Sequence, residues 1–233
     1  MIGKFKKLLS KVLPGLFKKK KHIKIGLYGP PNAGKTTLAN RICLDWLGEE
    51  SVMGTVSAIP HETREIQTKE NIHLRKGNKE LTFNLVDTPG IATRIDYEDF
   101  LKHKMSKKNA RIRAKEATKG VIEAIKWLDS MDCVIVVLDS TDNPYSQVNI
   151  TIIGNLAARD IPVLIAANKT DLKKSNLKKI ESAFPQYPII GISAHKGENV
   201  DQLYESLFDL VKWGENVNIT IYTIQRNWEF IFW

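Results

Sequence analysis

The sequence predicts an α/β fold of three layers: a mostly parallel six-stranded sheet with one antiparallel edge strand and helices on both faces. Two observations support this prediction. Short apolar segments of strand length alternate along the chain with segments of helical period, which is the pattern of a parallel sheet covered on both faces. The chain also has 233 residues, of which 42% are hydrophobic, and this is enough to build the core of one domain.

The six predicted strands are short and rich in apolar residues: Ile23–Tyr28, Glu65–Leu74, Leu81–Val86, Cys133–Leu138, Pro162–Ala167 and Ile189–Ser193. The second and third strands are joined by Lys76-Gly77-Asn78-Lys79 and form a hairpin, which supplies the antiparallel edge. The predicted helices occupy the intervals between the other strands: Lys35–Leu47, Thr118–Ser130, Asn143–Arg159, Asp171–Phe184 and Asn199–Trp213.

The N-terminal tail, residues 1–22, carries most of the positive charge. It holds eight lysines and no acid, so eight of the nine net charges lie there and the remaining chain carries +1. Its apolar residues fall on one side of a helical projection and its first lysines on the other, until Pro14 ends the pattern. A basic amphipathic tail is typical of attachment to an anionic membrane surface, here through residues 2–21. Binding to nucleic acid and packing on the body of the protein are the alternatives.

Two further segments suggest contacts with partners. The run Lys102–Lys119 contains eight basic residues and one acid, Glu116. We interpret it either as a solvated helix face or as a nucleotide-gated contact with RNA or another polyanion. The C-terminal extension, residues 214–233, is rich in β-branched and aromatic residues, which favours one or two strands that add to the body or to a partner.

Composition also predicts where the protein acts. No apolar run approaches the about 20 residues that a membrane-spanning helix needs, and the N-terminal apolar run is too short for a signal-peptide core. The two cysteines, Cys43 and Cys133, lie in apolar segments of predicted helix and strand, where reduced thiols pack well. We therefore expect a cytoplasmic protein.

The segment GLYGPPNAGKTT, from Gly26 to Thr37, contains the complete pattern GxxxxGK[ST] between a predicted strand and a predicted helix. In such a loop, backbone N–H groups and the helix N-terminus converge on phosphate oxygens. Lys35 is expected to reach the β- and γ-phosphates, and the Thr36 hydroxyl to bind magnesium. The predicted phosphate-binding residues are Gly29, Pro30, Asn32, Ala33, Gly34, Lys35, Thr36 and Thr37.

Three more motifs follow the ends of predicted strands, where ligands of open α/β sheets bind. LVDTPG ends one strand with Asp87, which is suited to hold magnesium through water, and Gly90 can donate its N–H to the γ-phosphate. ANKTD (167–171) and ISAHKG (192–197) end two others. The order and spacing of all four motifs therefore predict one nucleotide site at this edge of the sheet.

These four motifs resemble those of the P-loop GTPases of the translation-factor-related class, over about residues 23–213. The guanine edge offers two donors that the Asp171 carboxylate can accept together, whereas adenine presents an acceptor there. The resemblance implies that GTP or GDP binds with Asn168 at the other edge of the base and Lys169 over its face. It also implies that Ser193 and Ala194 support the base carbonyl oxygen.

The resemblance further implies a switch threonine that completes the magnesium shell beside Thr36 and Asp87. Thr63 in IPHETRE, immediately before a strand, is the best match, and Thr55 and Thr68 are rivals. Within the superfamily, GPPNAGKTT, DTPG and ISAHKGENVDQLYESL are most similar to the Era and tRNA-modification branch. This resemblance concerns the nucleotide switch and leaves the cellular task open.

The position after the Asp-x-x-Gly motif departs from Ras-type enzymes, which place glutamine there, because this chain has Ile91. An isoleucine cannot hydrogen-bond the attacking water, so we expect slow turnover, at or below about 10⁻³ per second. In the Era and tRNA-modification branch, the asparagine matching Asn32 helps to bind potassium, which offsets charge on the departing phosphoryl group. The alternative is that Asn32 is a turn residue.

The sequence thus predicts a slow GTP-hydrolysing switch, in which Lys35, Thr63, Gly90 and Asn32 act on the γ-phosphoryl group. The alternative is an adaptor that holds GTP or GDP with negligible turnover and acts through its basic tail at a membrane or on RNA. Multiple-turnover phosphate release separates the two hypotheses.

Overall fold

A computed structural model describes residues 23–48, 53–54, 63, 65–93, 95, 98, 101–102 and 105–211. The predicted tail at residues 1–22 and the extension at 214–233 lie outside the described residues. None of the helices in the described ranges is long and apolar enough to cross a membrane.

The strands are β1 (Ile23–Tyr28), β2 (Gln67–Lys76), β3 (Lys79–Asp87), β4 (Cys133–Asp139), β5 (Val163–Asn168) and β6 (Ile189–Gly191). The helices whose bounds lie within the described residues are α1 (Lys35–Leu47), α2 (Lys107–Trp127), α3 (Gln147–Ala157), α4 (Leu177–Ala183) and α5 (200–211). A single 3₁₀ turn, Leu128–Ser130, follows α2.

The six strands form one sheet in the order β2-β3-β1-β4-β5-β6. Four neighbouring pairs are parallel, and only the edge pair of β2 and β3 is antiparallel. This is the predicted fold, and the prediction is confirmed. The carboxyl ends of β1, β3, β4 and β5 consequently meet at one edge of the sheet, where Asp139 is paired in register with Asn168.

Apolar side chains fill both faces of the sheet. On one face α1 and α5 pack through residues such as Leu38, Ile42 and Leu207. On the other face α2 and α3 pack through residues such as Ala124 and Leu156. β4 is buried along almost its whole length, which explains its continuous apolar sequence.

Three helix starts were predicted wrongly. α3 begins at Gln147, four residues after the predicted Asn143, because Ser146 caps it by accepting a hydrogen bond from the Asn149 N–H at 3.3 Å. α2 begins at Lys107, eleven residues before the predicted start, because Ser106 caps it by accepting a hydrogen bond from the Asn109 N–H at 3.3 Å and because its basic residues favour helix. α4 begins at Leu177, six residues after the predicted start. Residues 171–174 form turns, and Asn176 caps the helix by accepting from the Lys179 N–H at 3.0 Å.

Candidate nucleotide-binding site

The glycine-rich loop joins β1 to α1, and its shape depends on glycine. Gly34 precedes the helix with a φ of 96°, in the left-handed region, and a Cβ there would lie 2.2 Å from the Asn168 amide nitrogen. Gly90, after β3, packs against the same loop, since a Cβ on it would lie 2.8 Å from the Pro31 Cα. The loop therefore touches both the segment after β3 and the end of β5.

Lys35 is held inside this loop. Its side chain is 5% exposed, and its ammonium donates hydrogen bonds to the carbonyl oxygens of Gly29 at 3.2 Å and Pro30 at 2.8 Å. Burial lowers the pKa of Lys35 to about 8, although the negative charge of Asp87 acts in the opposite direction. The loop thus contains a dehydrated cation whose hydrogen bonds within the described residues go to two neutral oxygens.

Three side-chain oxygens meet beside Lys35. The Thr36 hydroxyl donates to Asp87 Oδ2 at 2.7 Å and lies 2.9 Å from the Thr63 hydroxyl. Of the two threonine candidates that the structure describes, Thr63 and Thr68, it is Thr63 that contacts Thr36. Thr68 is exposed on β2, and Thr55 lies outside the described residues.

Asp87 is fully buried, and its second oxygen, Oδ1, has no hydrogen-bond partner among the described residues. Burial raises the pKa of its carboxyl group, while the hydrogen bond from Thr36 and the charge of Lys35 oppose this rise. A buried carboxylate with an unsatisfied oxygen, next to two hydroxyls, is a set of hard oxygen ligands that suits Mg²⁺. The residues present therefore fit a magnesium ion.

The segment after Asp87 is fixed by hydrogen bonds and apolar packing. The Ile91 N–H donates to the Gly29 carbonyl at 3.1 Å, and the Ile91 side chain is 3% exposed within an apolar cluster that includes Tyr28 and Val86. Thr88, which the sequence analysis missed, donates its hydroxyl to the Leu27 carbonyl at 2.7 Å. Its position directly after the strand aspartate was the available signal.

Asn168 contacts two of the loops that form the site. Its amide nitrogen donates to the Ala33 carbonyl at 2.9 Å, and its amide oxygen accepts from the Ala194 N–H at 2.9 Å. The side chain is 3% exposed, so both polar groups are satisfied inside the protein. Asn168 therefore ties the glycine-rich loop to the loop that follows β6.

Asp171 and Lys169 lie in the loop after β5, next to further charged groups. The Asp171 carboxylate lies 3.6 Å from the Lys196 ammonium, and a hydrogen bond from Ser193 is the main reason why its pKa is lowered. Lys169 has a φ of 67° and contacts the carboxylate of Asp139. Asp139 and Lys196 were missed, although Asp139 ends β4 in the same way that Asp87 ends β3.

Asn32 is exposed in the glycine-rich loop and has a φ of 59°. Asparagine tolerates this left-handed conformation better than most residues do. The conformation agrees with the turn interpretation of Asn32, and it leaves the amide side chain at the surface of the loop.

The chain has relatives among named GTPases. GTPase Der from a Marinomonas species is 31% identical over 195 residues, which cover 79% of this chain and 37% of that protein. The tRNA modification GTPase MnmE from Natranaerobius thermophilus is 31% identical over 194 residues, which cover 83% of this chain and 35% of that protein. The chain thus spans little more than a third of the length of these relatives.

A solved structure of Era in complex with MgGDPNP and nucleotides 1506–1542 of 16S ribosomal RNA has the same fold. The two superpose with a TM-score of 0.62 at 21% sequence identity, over 82% of this chain and 57% of that one. The family described as 50S ribosome-binding GTPase matches residues 24–169, which is more than half of the chain. The chain therefore belongs to this family of P-loop GTPases.

Proposed function

We propose that this protein binds GTP and GDP with magnesium and hydrolyses GTP slowly, as a molecular switch. The observation that carries the proposal is the buried Asp87 carboxylate beside the dehydrated Lys35. Its Oδ2 accepts from Thr36, which in turn contacts Thr63, and its Oδ1 has no hydrogen-bond partner among the described residues. The proposed G domain comprises residues 23–213, with the tail at 1–22 and the extension at 214–233 as separate segments.

The glycine-rich loop and the residues around Asp87 bind the phosphates and magnesium in this proposal. Lys35 exchanges its two carbonyl contacts for phosphate oxygens, and the backbone N–H groups of the loop and of Gly90 donate to the phosphates. The hydroxyls of Thr36 and Thr63 and, through water, the carboxylate of Asp87 hold magnesium. Bound magnesium supplies positive charge that stabilises the phosphate oxygens.

The base-binding residues give the preference for guanine. Asp171 accepts two hydrogen bonds from the base edge, and its lowered pKa keeps it ionised and able to accept at neutral pH. Lys169 covers the face of the base, Asn168 holds the loops around it, and the Ser193 and Ala194 segment supports the carbonyl oxygen.

Slow turnover is part of the proposal because the buried Ile91 side chain cannot orient a water molecule. The experiment is multiple-turnover phosphate release with saturating GTP, after GTP binding has been measured directly. Slow release that disappears in Asp87→Ala supports the switch. Binding with no release, with or without potassium, favours the adaptor hypothesis. Absence of binding overturns both.

The exposed face of α2 supports RNA as the partner of the basic run 102–119. Lys108, Lys115, Lys119 and Lys126, here called the lysine stripe, are all exposed. At 100° and 1.5 Å per residue they fall within about 20° of one line and span about 27 Å along the helix. No carboxylate of the described residues lies within 4.0 Å of Lys108, Lys115 or Lys126, and Lys119 contacts Glu123 at that distance.

The composition of this face favours phosphate over a bilayer. An interfacial helix buries a continuous apolar face and keeps its charges at the sides. Here the lysines occupy the centre, and the two isoleucines between them, Ile112 and Ile122, are 48% and 50% exposed. Trp127, at the end of α2, is in contact with Lys24, so base stacking on this face is not favoured. We therefore propose that the lysine stripe contacts the backbone of an RNA duplex.

The RNA proposal is tested by binding of a short RNA duplex to protein that carries a GTP analogue or GDP. We expect Lys115→Glu with Lys119→Glu to weaken binding at least tenfold and to reduce the slope of affinity against salt. The matched control is Lys173→Glu with Lys178→Glu, two exposed lysines outside the stripe. Equal loss in both double variants, or equal binding to anionic vesicles, contradicts the proposal.

The tail at residues 2–21 lies outside the described residues, and attachment to an anionic membrane through it is a separate proposal. Wild-type protein is expected to float with anionic liposomes at low salt, and Phe5→Asp with Leu9→Asp to abolish this without changing nucleotide binding. A cytoplasmic location is also proposed, supported by the two free and buried thiols of Cys43 and Cys133.

A further inference from the structure

Asp139 ends β4 and uses both of its carboxylate oxygens. Oδ1 accepts hydrogen bonds from the N–H and the hydroxyl of Thr141, at 2.9 and 2.7 Å. Oδ2 contacts the ammonium of Lys169. The side chain of Asp139 is 10% exposed and that of Lys169 is 31% exposed, so the pair lies at the rim of the proposed base site.

The backbone fixes this pair on both sides. Asp139 is the partner of Asn168 in the parallel pairing of β4 and β5, and the Ser140 N–H donates to the Asn168 carbonyl at 2.9 Å. Lys169, the next residue, has the left-handed φ of 67°. The turn after β4 and the start of the loop after β5 therefore form one unit, in which Lys169 has little freedom to move away from Asp139.

Asp139 is ionised in this setting. Burial raises the pKa of its carboxyl group, but hydrogen bonds from Lys169 and Thr141 more than compensate, so the pKa lies below its usual value. A lysine side chain has four rotatable bonds, and fixing its ammonium restricts the whole alkyl stem. The carboxylate thereby determines which surface the stem of Lys169 presents.

We propose that Asp139 is a positioning residue for nucleotide binding. It holds the Lys169 side chain in one conformation, so that the alkyl stem is already ordered to pack against the face of the base. This inference rests on the proposed function, in which the base lies on Lys169. Asp139 itself does not touch the nucleotide. It lowers the conformational cost of binding because Lys169 is already ordered in the free protein.

The proposal makes a prediction that distinguishes Asp139 from Asp171. Packing of the Lys169 stem against the face of the base stabilises any purine. Asp171 instead contacts the edge that distinguishes guanine from hypoxanthine. Asp139→Asn should therefore weaken GTP and ITP binding by the same factor, about 2–5-fold, as expected for loss of a partly exposed ion pair. The ratio of the two affinities should stay at its wild-type value.

The experiment measures dissociation constants of GTP and ITP for the full chain, first for wild type and then for Asp139→Asn, Lys169→Met and the double variant. We expect the double variant to bind no more weakly than Lys169→Met, since Asp139 acts through Lys169. The matched control is Asp142→Asn, which changes an exposed acid in the same turn and should have no effect. Failure of wild type to bind GTP would instead refute the proposed function.

Three results would overturn the inference: unchanged affinity in Asp139→Asn, an altered ratio of GTP to ITP, or additive losses in the double variant. Thermal unfolding without nucleotide shows whether Asp139→Asn is folded. If it is not, Thr141→Val removes one donor to Asp139 and decides the question. If Thr141→Val weakens the binding of GTP and ITP equally, by less than the factor expected for Asp139→Asn, and has no effect in the Lys169→Met background, the inference is supported. Any other result contradicts it.

Discussion

The proposed site has a phosphate half, around Lys35 and Asp87, and a base half, around Asn168, Lys169 and Asp171. The charged groups of the two halves differ in burial and in pairing. On the phosphate side, Lys35 and Asp87 are buried, and one Asp87 oxygen has no hydrogen-bond partner among the described residues. On the base side, Asn168 has partners at both ends, Lys169 contacts Asp139, and Asp171 lies beside Lys196. One half holds dehydrated charges, and the other holds charges whose partners are already in place.

This difference indicates how affinity and specificity are divided. Dehydrated charges gain most from a ligand of opposite charge, since little solvation remains to be lost. Groups that are already paired gain less, but they are ordered before the ligand arrives and so discriminate by geometry. We therefore expect the phosphate half to supply most of the binding energy, and the base half to select the nucleotide.

The largest effect is expected for Lys35→Ala, which removes the dehydrated cation. Loss of charge-assisted hydrogen bonds to the phosphates should weaken GTP binding about 10²–10³-fold. Nucleotide titration with a fluorescent GTP analogue measures the loss. Lys173→Ala, which removes an exposed lysine of the same charge, is the control and should leave affinity unchanged. A loss below tenfold for Lys35→Ala would contradict the division of tasks.

The next effect concerns selection by the base half. Asp171→Asn should weaken GTP binding about 10–100-fold, because a charged acceptor of two hydrogen bonds is lost. Binding of xanthosine triphosphate should improve in the same variant, since its edge presents a carbonyl oxygen to the amide. Competition titrations with both nucleotides measure the change in preference. Asp160→Asn, an exposed acid elsewhere, is the control. Unchanged GTP affinity would remove Asp171 from the base site.

The pH dependence of binding tests whether Lys35 is dehydrated. Its pKa in the free protein is about 8, compared with 10.5 in the unfolded chain. Above pH 8 the free protein loses this proton, and phosphate binding must restore it, so GTP affinity should fall by up to about tenfold per pH unit. The stability of the free protein should rise over the same range, because the unfolded state binds more protons there.

Isothermal titration and thermal unfolding between pH 7 and pH 9.5 measure both trends. The proton-linked loss of affinity should be absent in Lys35→Met. A flat affinity profile in wild type would show that Lys35 is solvated in the free protein and would weaken the contrast between the halves.

Much of the fold was readable from sequence because each layer had a local signal. The apolar run of β4 and the Gly-Asn turn between β2 and β3 fixed the strands and the antiparallel edge. The start of α2 was not readable from apolar period alone, since its first turns carry lysines and arginine and its buried face uses Ala110 and Arg113. Helix propensity and the Ser106 cap decided that start.

In the site, residues in motifs were predicted and residues that support them were not. Lys35, Asp87 and Asn168 belong to short patterns whose chemistry is local. Asp139 and Lys196 become relevant only because parallel pairing brings separate loops together. Their roles depend on contacts across 30 and 25 residues of chain respectively, which no local pattern encodes.

The smallest effect is expected for Asn32, at the exposed edge of the phosphate half. Its amide oxygen is a neutral ligand suited to a large monovalent cation, and a cation there would offset charge that develops on the γ-phosphoryl group. We expect GTP hydrolysis to be about 2–5-fold faster in potassium chloride than in sodium chloride at equal ionic strength, because charges exposed to solvent interact by no more than about 1 kcal/mol. Phosphate release at saturating GTP measures the ratio. The ratio of the rates in the two salts should fall to one in Asn32→Ala.

Asn32→Gly is the control for the turn, since glycine keeps the left-handed φ of 59° but offers no amide. Equal wild-type rates in the two salts would leave Asn32 as a turn residue.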